Sequence, residues 1–207
     1  MRQTTIFVVA LALGATYAAL RATPRPAAAT MADWTGESND ESRGTVLSST
    51  SDSSREHACF AGGCFWSVEA LFDAVPGVVD TVPGFIDGVE TVWVAYDGSR
   101  VTYENLLSRY WRGVDPFTAT RQFCDVGEAY RPVIFAASER QRTAAETSRG
   151  EVERHFGRPV AVTIRDEARF VAASRAHQDF ARRHPVQYAF YSWSCGRGSA
   201  LAALWAE

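Results

Sequence analysis

The sequence predicts an α+β domain, in which a mixed sheet with flanking helices is related to the ferredoxin-like split βαβ unit. Three observations support this. Short apolar segments rich in β-branched residues are separated by Gly, Pro and Asp, which is typical of strands and turns. Longer segments with apolar residues at helical spacing lie between them. From His57 onward the predicted order is β-α-β-β-α, loop, β-α-β, so the chain combines hairpins with helical crossovers.

Residues 1–29 are predicted to lie outside this domain. Arg2 precedes an apolar run from Thr5 to Leu20, and prolines and small residues follow it. This pattern is typical of a secretory signal peptide. An N-terminal membrane anchor is the alternative, although the run is short for a span, which needs about 20 apolar residues. In either case we expect an exported protein, in the periplasm or outside the cell.

Residues 30–56 are predicted to form a linker. They are rich in Ser, Asp, Glu and Gly, most densely at Ser48–Ser54. Because a segment with so few apolar residues cannot bury a core, we expect it to be disordered. The remaining residues, 57–207, are predicted to form one folded domain with a C-terminal tail.

The first half of the domain is predicted to contain a strand, a helix and a hairpin. The second strand of this set contains Pro and Gly, so we expect it to be broken there. The elements are a strand at His57–Ala61, a helix from Cys64 to about Ala74, a strand at Val78–Phe85 broken at Pro83-Gly84, a tight turn at Asp87-Gly88, and a strand at Glu90–Tyr96.

The second half is predicted to alternate helices and strands around one long loop. Thr102 and Ser138 have the residue type and position of helix N-caps. The elements are a helix opened by Val101–Asn105, a polar loop from Asp115 to Tyr130, strands at Pro132–Ala136 and Val160–Ile164 on either side of a helix from Ser138 to about Phe156, a weak helix from Phe170 to Arg183, and an aromatic tail from Tyr188 to Trp205.

Composition narrows the classes of function. The chain has 207 residues, 21 of them basic, all Arg, and 24 acidic, which gives a net charge of −3. This balance gives no reason to expect nucleic acid or an anionic membrane as a partner. The four cysteines form no CxxC pair and no zinc-ligand spacing, so no metal site is predicted. A redox relay and structural disulfides both remain open.

The segment that carries chemistry is Gly62–Trp66, Gly-Gly-Cys-Phe-Trp. It joins a predicted strand to a predicted helix, which places Cys64 at a helix N-terminus. The positive end of the helix dipole and free N–H groups favour a thiolate there, and the thiolate is the nucleophilic form of cysteine. A cysteine beside two aromatic residues is equally compatible with a structural core residue.

Several ordered motifs resemble those of the type A peptide methionine sulfoxide reductases. The matches cover the chain from about Ala58 to Phe180. Ala61–Glu69 resembles the AGGCFWxxE motif, Pro76–Val78 and Gly84–Gly88 resemble PGV…GYxGG, Glu90–Asp97 resembles AExVxVxYD, Asp115–Thr118 and Arg121–Arg131 resemble HDPT…RQGNDxGTQYRS, and His177–Phe180 resembles YHQxY.

This resemblance implies an activity and a set of roles. The family reduces methionine S-sulfoxide, free or in proteins, through a cysteine sulfenic acid, and so repairs oxidised proteins. The nucleophile is then Cys64 and the general acid is Glu90. A sulfoxide oxygen leaves poorly unless it is protonated, and a carboxyl with a raised pKa is the suitable acid. Tyr130 is implied to donate a hydrogen bond toward the sulfoxide oxygen, and Asp125 is implied to help order the polar network around it. Without the resemblance, Glu90 would be interpreted as a solvated strand residue, Asp125 as a turn residue and Tyr130 as a core residue.

The resemblance also assigns the substrate pocket. Phe65 and Trp66 match the walls that hold the substrate methyl group, whose burial is worth only about 1 kcal/mol. Phe85 stands where the family has a tyrosine. The change removes one hydroxyl donor, so we expect slower turnover, with Glu90 and Tyr130 carrying the oxygen-binding role.

Recycling requires a second thiol or an external reductant. Cys195, in a Gly-containing tail, and Cys124, beside Asp125, are both candidate resolving cysteines, whereas Cys59 is expected to be buried in a strand. The resemblance implies no bound metal, flavin or nicotinamide, and a thioredoxin-like reductant that dithiothreitol replaces in vitro. Expected partners are oxidised proteins or free methionine sulfoxide, and we expect a monomer.

Two other functions remain open from the sequence. One is a thiol peroxidase that uses Cys64 as its peroxidatic thiol. The other is a degenerate sulfoxide-binding or redox-sensing module, which the loss of the tyrosine at Phe85 would support.

Overall fold

The computed structural model of this chain describes residues 55–206. The predicted signal peptide, and all of the predicted linker except Arg55 and Glu56, lie outside the described residues. No helix within 55–206 is both long enough and apolar enough to cross a membrane.

A six-stranded mixed sheet forms the centre of the fold. The strands of the described residues are β1 (Arg55–Ala61), β2 (Val78–Ile86), β3 (Val89–Asp97), β4 (Arg121–Gln122), β5 (Asp125–Val126), β6 (Val133–Ala136), β7 (Thr163–Asp166) and β8 (Phe170–Ala172). The sheet order is β7-β6-β1-β3-β2-β8, with β6 and β7 parallel and all other neighbours antiparallel. β4 and β5 form a separate ribbon.

Helices connect and flank these strands. Within 55–206 they are α1 (Phe65–Asp73), α2 (Tyr103–Trp111), α3 (Glu139–Phe156), α4 (Phe180–Arg183), α5 (Pro185–Ser194) and α6 (Arg197–Leu204), with a short 3₁₀ turn at Glu128–Tyr130. The predicted α+β class with a mixed sheet and flanking helices is confirmed.

Both faces of the sheet are buried. In β1, Phe60 belongs to a large apolar cluster shared with α1, α2 and α3, whereas the adjacent Cys59 belongs to a smaller cluster. In β3, Val92 and Val94 join the large cluster and Trp93 joins the smaller one. Successive side chains of a strand point to opposite faces, so the two clusters lie on opposite sides of the sheet.

Local signals for turns and caps are confirmed. The Thr102 hydroxyl accepts a hydrogen bond from the Asn105 N–H, and the Asn105 side chain accepts one from the Thr102 N–H, which together start α2. Ser138 caps α3 by accepting a bond from the Gln141 N–H. At Asp87-Gly88 both φ angles are positive, 50° and 74°, as a two-residue hairpin turn requires.

The predicted break in the second strand is wrong. β2 continues through Pro83 and Gly84, which pair with Val92 and Thr91 of β3. The Pro83 carbonyl accepts a bond from the Ala173 N–H, where the pairing with β8 ends. A proline is tolerated in a strand where its missing N–H is not needed, and here only its carbonyl is used on that side.

The predicted helix from Phe170 to Arg183 is also wrong. Residues 170–172 form β8, which pairs with β2, and only Phe180–Arg183 is helical. The Phe170 ring lies over Gly84, where an added Cβ would be 2.4 Å from it. The Gln178 side chain donates to the carbonyls of Pro83 and Ala173. These long-range contacts hold the segment extended and looped despite its helical composition.

Two boundaries and one loop also differ from the sequence expectation. β1 begins at Arg55, two residues before the predicted domain start, because Arg55 and Glu56 pair with β3. The strand predicted at Val160–Ile164 lies at Thr163–Asp166, in register with β6. The polar loop before Tyr130 contains β4, β5 and the 3₁₀ turn.

Candidate active site

Cys64 is the N-cap residue of α1 and is 7% exposed. Gly63 before it has a φ of +86°, and a Cβ there would lie 2.6 Å from the Gln122 Cβ. A Cβ on Gly62 would lie 2.6 Å from Val114 Cγ1. The two glycines therefore let β1 turn into α1 directly against the neighbouring loop, and this close approach fixes the position of the thiol.

Glu90 lies at the same helix end. Its Oε2 accepts a hydrogen bond of 2.9 Å from the backbone N–H of Phe65, the residue after Cys64. In the β2–β3 ladder Glu90 lies opposite Phe85, so the carboxyl and that ring share a face of the sheet. Burial raises the pKa of Glu90, and the Asp125 charge adds to this, whereas the Phe65 N–H lowers it. Glu90 is therefore a half-buried, fixed carboxyl and not a solvated strand residue.

An aromatic group surrounds the thiol. Phe65 contacts Phe85 edge to face, with ring centroids 5.6 Å apart. Trp66 stacks on Phe180 at 3.7 Å. His177 lies beside both Phe65 and Trp66, at 5.3 Å and 5.8 Å. The structure thus brings together all three predicted pocket residues, and it adds two from the segment that was wrongly predicted as a helix.

Polar side chains complete the site. Tyr130, on the 3₁₀ turn, is close enough that the Glu90, Asp125 and Cys64 charges raise its pKa, in addition to its burial. Asp125, on β5, accepts a hydrogen bond of 2.7 Å from the Tyr191 hydroxyl. The Tyr191 hydroxyl is also close enough to the Cys64 sulfur to lower the pKa of that thiol. Sequence reasoning missed Tyr191, because only its place in an aromatic tail distinguishes it.

The expected thiolate at Cys64 is not favoured in the substrate-free site. Burial raises the pKa of the Cys64 thiol to about 11, and the Glu90 and Asp125 charges add to this. The Trp66 N–H at the helix N-terminus and the Tyr191 hydroxyl lower it. Desolvation and two nearby carboxylates outweigh the helix end, which is the physical reason for the difference.

The other cysteines separate into a pair and a buried thiol. Cys124 and Cys195 form a disulfide with a Cα–Cα distance of 5.1 Å, while Cys59 and Cys64 are free. The two candidate resolving cysteines are therefore joined to each other. Cys59 is fully buried, as expected, and its burial and the nearby Glu167 raise the pKa of its thiol.

Comparison with known proteins decides the family. The sequence profile of the peptide methionine sulfoxide reductase family matches residues 56–90 and 88–207. The chain is 38% identical over 167 residues to peptide methionine sulfoxide reductase MsrA 2 of Rhizobium meliloti, covering 73% of this chain and 84% of that protein. The chain belongs to the peptide methionine sulfoxide reductase family.

Solved structures agree on the fold of this reductase. Reduced Mxr1 from Saccharomyces cerevisiae superposes with a TM-score of 0.63 at 22% identity, covering 66% of this chain and 89% of that one. A structure of Mxr1 in complex with Trx2 gives a TM-score of 0.51 at 21% identity, covering 61% and 86%. The enzyme is a thiol-dependent methionine sulfoxide reductase.

Two buried charged residues position the reductase site, and the sequence did not single them out. Glu69 of α1 accepts hydrogen bonds from the backbone N–H groups of Asp179 and Phe180, which holds Phe180 against Trp66. Burial raises the pKa of Glu69 to about 8. Motif AGGCFWxxE contains this residue, so the signal was present, but its partner lies 110 residues away.

Arg197, the first residue of α6, is the second positioning residue. Its guanidinium is buried and donates to the carbonyl oxygens of Gly62 and Gly113. It also lies over the Phe123 ring at 4.8 Å. The C-terminal tail of this reductase therefore holds the loop that carries Cys64 through its Gly62 carbonyl.

One group of potential metal ligands comes together in residues 55–206. It consists of Cys124, Asp125 and Cys195. The sulfur atoms of Cys124 and Cys195 are bonded to each other, so this group offers no free thiolate to a metal in this state.

Proposed function

We propose that this enzyme reduces the S epimer of methionine sulfoxide, in proteins or free, with Cys64 as nucleophile and Glu90 as general acid. The observation that carries this is the 2.9 Å bond between Glu90 Oε2 and the Phe65 N–H. It holds an acid of raised pKa at the helix end where the thiol lies. Repair of oxidised proteins follows from this chemistry.

The first step transfers oxygen to Cys64. The Cys64 sulfur attacks the sulfoxide sulfur and forms a sulfur–sulfur bond, while Glu90 protonates the sulfoxide oxygen. The oxygen then moves to the Cys64 sulfur as its bond to the methionine sulfur and the new sulfur–sulfur bond both break. The methionine sulfur gains two electrons, the Cys64 sulfur loses two, and the oxygen ends on Cys64 as a sulfenic acid. As Cys64 attacks, its thiol proton passes to Glu90, which has given its own proton to the oxygen. The thiol therefore need not ionise before the substrate binds, despite its raised pKa.

The remaining site residues bind the two ends of the sulfoxide group. Phe65, Trp66 and Phe85 supply apolar surface for the methyl and the side-chain stem. Tyr130 donates a hydrogen bond to the oxygen, and Asp125 orders the polar network. Tyr191, bonded to Asp125 and close to Cys64, supplies the hydroxyl that Phe85 lacks.

Recycling runs through the cystine. A Cys195 thiol attacks the Cys64 sulfenic acid, water leaves, and a Cys64–Cys195 disulfide forms. A Cys124 thiol then attacks Cys195, Cys64 leaves as a thiolate, and the Cys124–Cys195 disulfide remains. This sequence accounts for the bond that joins both candidate resolving cysteines while Cys64 is free.

An external dithiol must then reduce the cystine. We propose a thioredoxin-like protein, which dithiothreitol replaces in vitro, and no cofactor bound to the enzyme itself. The solved complex of yeast Mxr1 with Trx2 supports this choice. The N-terminal pattern supports export, with residues 1–29 as signal peptide or anchor and 30–56 as linker, and we propose a monomer.

We also propose a more specific fold than the α+β class, in which the sheet contains a ferredoxin-like split βαβ unit. β3 lies between β1 and β2, and β1 lies between β3 and β6. This order supports a split βαβ unit of the ferredoxin-like kind as the central four strands, with β7 and β8 added at the edges.

The function is tested by a dithiothreitol-driven assay on a peptide carrying each sulfoxide epimer. We expect turnover of the S epimer only, no turnover in Cys64→Ser, and a loss of about 100-fold or more in Glu90→Gln. Glu104→Gln, an exposed carboxyl on α2, is the matched control and should retain parental activity.

Each alternative predicts a different result. Turnover by Cys64→Ser would contradict the mechanism, and a parent active only on the R epimer would contradict the stereochemical assignment. Reduction of hydrogen peroxide without sulfoxide turnover would indicate a thiol peroxidase. Binding of the peptide without turnover in excess dithiothreitol would indicate a degenerate binding module.

A further inference from the structure

Gln122 is a fully buried polar side chain that has no role in the proposed mechanism. Its amide bonds both backbone groups of a single residue, Asp115. The Gln122 Oε1 accepts a hydrogen bond of 2.8 Å from the Asp115 N–H, and Nε2 donates one of 2.7 Å to the Asp115 carbonyl. A buried amide with both ends bonded has one fixed orientation. Strand β4, which carries Gln122, is therefore fixed to the segment at Asp115.

The segment at Asp115 packs on the turn that carries the nucleophile. The Asp115 carboxylate accepts two hydrogen bonds from the loop that follows it, so this loop is itself ordered. Val114, directly before Asp115, is fully buried. Its Cγ1 would lie 2.6 Å from a Cβ on Gly62, two residues before Cys64. The amide of Gln122 therefore holds a segment in direct contact with the nucleophile turn.

Gln122 also touches this turn itself and lies beside the oxygen-binding residues. A Cβ on Gly63, the residue before Cys64, would lie 2.6 Å from the Gln122 Cβ and 3.3 Å from its Cγ. On the other side, Gln122 pairs with Asp125 in the β4–β5 ribbon. The 3₁₀ turn that carries Tyr130 packs against β3, β4 and β5. Gln122 thus lies between the nucleophile and the two polar residues of the site.

We propose that Gln122 is a positioning residue, which sets the separation of Asp125 and Tyr130 from the Cys64 sulfur. This proposal rests on the proposed roles of those three residues. Because Gln122 is fully buried, it acts through them and not on the substrate. Without its two hydrogen bonds the ribbon can move away from the nucleophile turn. The polar groups would then be misplaced as charge develops on the sulfoxide oxygen.

The chain contains a matched control for this amide, Gln141 of α3, which is also buried. The Gln141 Oε1 accepts a hydrogen bond of 3.0 Å from the Ala137 N–H, and Nε2 donates one of 2.7 Å to the His57 carbonyl. Gln141 therefore makes the same two kinds of bond, but to residues outside the site. Removing either amide leaves one backbone N–H and one carbonyl without that partner, so the costs in stability should be similar.

The first test replaces each glutamine by methionine, which keeps the length of the side chain and removes both bonds. Full-length Gln122→Met and Gln141→Met are assayed with dithiothreitol and the S-sulfoxide peptide, and each is unfolded in urea. We expect both urea midpoints to fall by similar amounts. The kcat should fall at least about 10-fold in Gln122→Met, with KM changed less than about 2-fold, because the loss acts in the transition state. Gln141→Met should keep the parental kcat.

The second test uses Gln122→Glu, which preserves the shape of the side chain. A protonated carboxyl can donate to the Asp115 carbonyl and accept from its N–H, as the amide does, whereas a carboxylate has no proton to donate. The kcat relative to the parent should be near parental at about pH 5 and fall at least about 10-fold by about pH 9, since burial raises the pKa of a carboxyl. Gln141→Glu, measured in the same way, should keep a constant ratio.

Charged groups around the new carboxyl act in both directions. Arg197 of α6 favours the carboxylate, because its Nη1 would lie 3.5 Å from the same Cβ position on Gly63. The carboxylates of Asp115 and Asp125 and a thiolate at Cys64 favour the protonated form. These charges move the midpoint of the change in kcat along the pH axis. They do not alter its direction, because only the protonated form reproduces both bonds.

Three results would overturn the proposal. The first is a folded Gln122→Met with the parental kcat. The second is an equal loss of kcat in Gln141→Met, which would make the effect one of general stability. The third is a ratio of Gln122→Glu to parent that does not change with pH, and this result decides the matter if Gln122→Met does not fold. Absence of S-epimer turnover in the parent would instead contradict the proposed function.

Discussion

At the scale of single residues, the site has Phe85 in place of the motif tyrosine and a second hydroxyl, that of Tyr191, on Asp125. Phe85 lies opposite Glu90 in the β2–β3 ladder, where the family motif has a tyrosine. Tyr191 reaches Asp125 from α5 and lies close to Cys64. Both residues touch the region where the sulfoxide oxygen is proposed to lie, so their effects on turnover should be coupled.

Tyr191→Phe should lower kcat about 10-fold, because it removes a hydrogen-bond donor from the developing charge. Phe85→Tyr should raise kcat/KM of the parent, and it should restore part of the activity when added to Tyr191→Phe. Steady-state kinetics of the two single variants and the double variant check this. If Phe85→Tyr fails to restore activity, Tyr191 acts only by holding Asp125 in place.

The Cys64 thiol should respond to the Glu90 charge. Because the Glu90 carboxylate contributes to raising the pKa of Cys64 to about 11, Glu90→Gln should lower that pKa. Alkylation by iodoacetamide at about pH 9 should then be faster in Glu90→Gln than in the parent, with Cys64→Ser as the blank. An equal or slower rate would show that the Glu90 charge does not act on the thiol.

At the scale of elements, local sequence signals were sufficient to predict features that depend only on neighbouring residues. The caps at Thr102 and Ser138 and the Asp87-Gly88 turn depend on residues within a few positions, and each was predicted. The helix predicted over Phe170–Arg183 failed because distant partners, Gly84 and Pro83, determine the conformation of that segment.

The residues of the site also divide into those with a local sequence signal and those positioned by distant parts of the chain. The motifs predicted roles for Cys64, Glu90, Asp125 and Tyr130, because each belongs to a short recognisable string, and the structure brings these four residues together. Tyr191, Arg197 and the partner of Glu69 were missed, since their roles arise only when the C-terminal tail folds back over α1. The Cys124–Cys195 bond joins residues 71 positions apart, which spacing alone could not pair.

The α1–tail connection should be worth measurable stability. Glu69→Ala removes the acceptor of two backbone N–H groups and should destabilise the enzyme by about 1–3 kcal/mol. Glu151→Ala, an exposed residue of α3, should change stability by less than about 0.5 kcal/mol. Urea unfolding of both variants measures the difference, and equal midpoints would remove Glu69 from the positioning role.

At the scale of the whole molecule, the tail links chemistry to recycling. α5 carries Tyr191, and Cys195 directly follows this helix, so the element that contacts Asp125 is also joined to the disulfide. α6 begins with Arg197, which holds the Gly62 carbonyl of the nucleophile loop. One folded segment therefore joins the thiol, its polar partners and the disulfide that we propose accepts its oxidation.

The amount of methionine formed per chain without any reductant tests the proposed nucleophile and recycling route most directly. Enzyme reduced with dithiothreitol and then desalted should form about two methionines from the S-sulfoxide peptide, because the relay regenerates Cys64 once as the Cys124–Cys195 disulfide closes. Cys195→Ser and Cys124→Ser should each form about one, and Cys64→Ser none. A single methionine from the parent, or any from Cys64→Ser, would contradict the account.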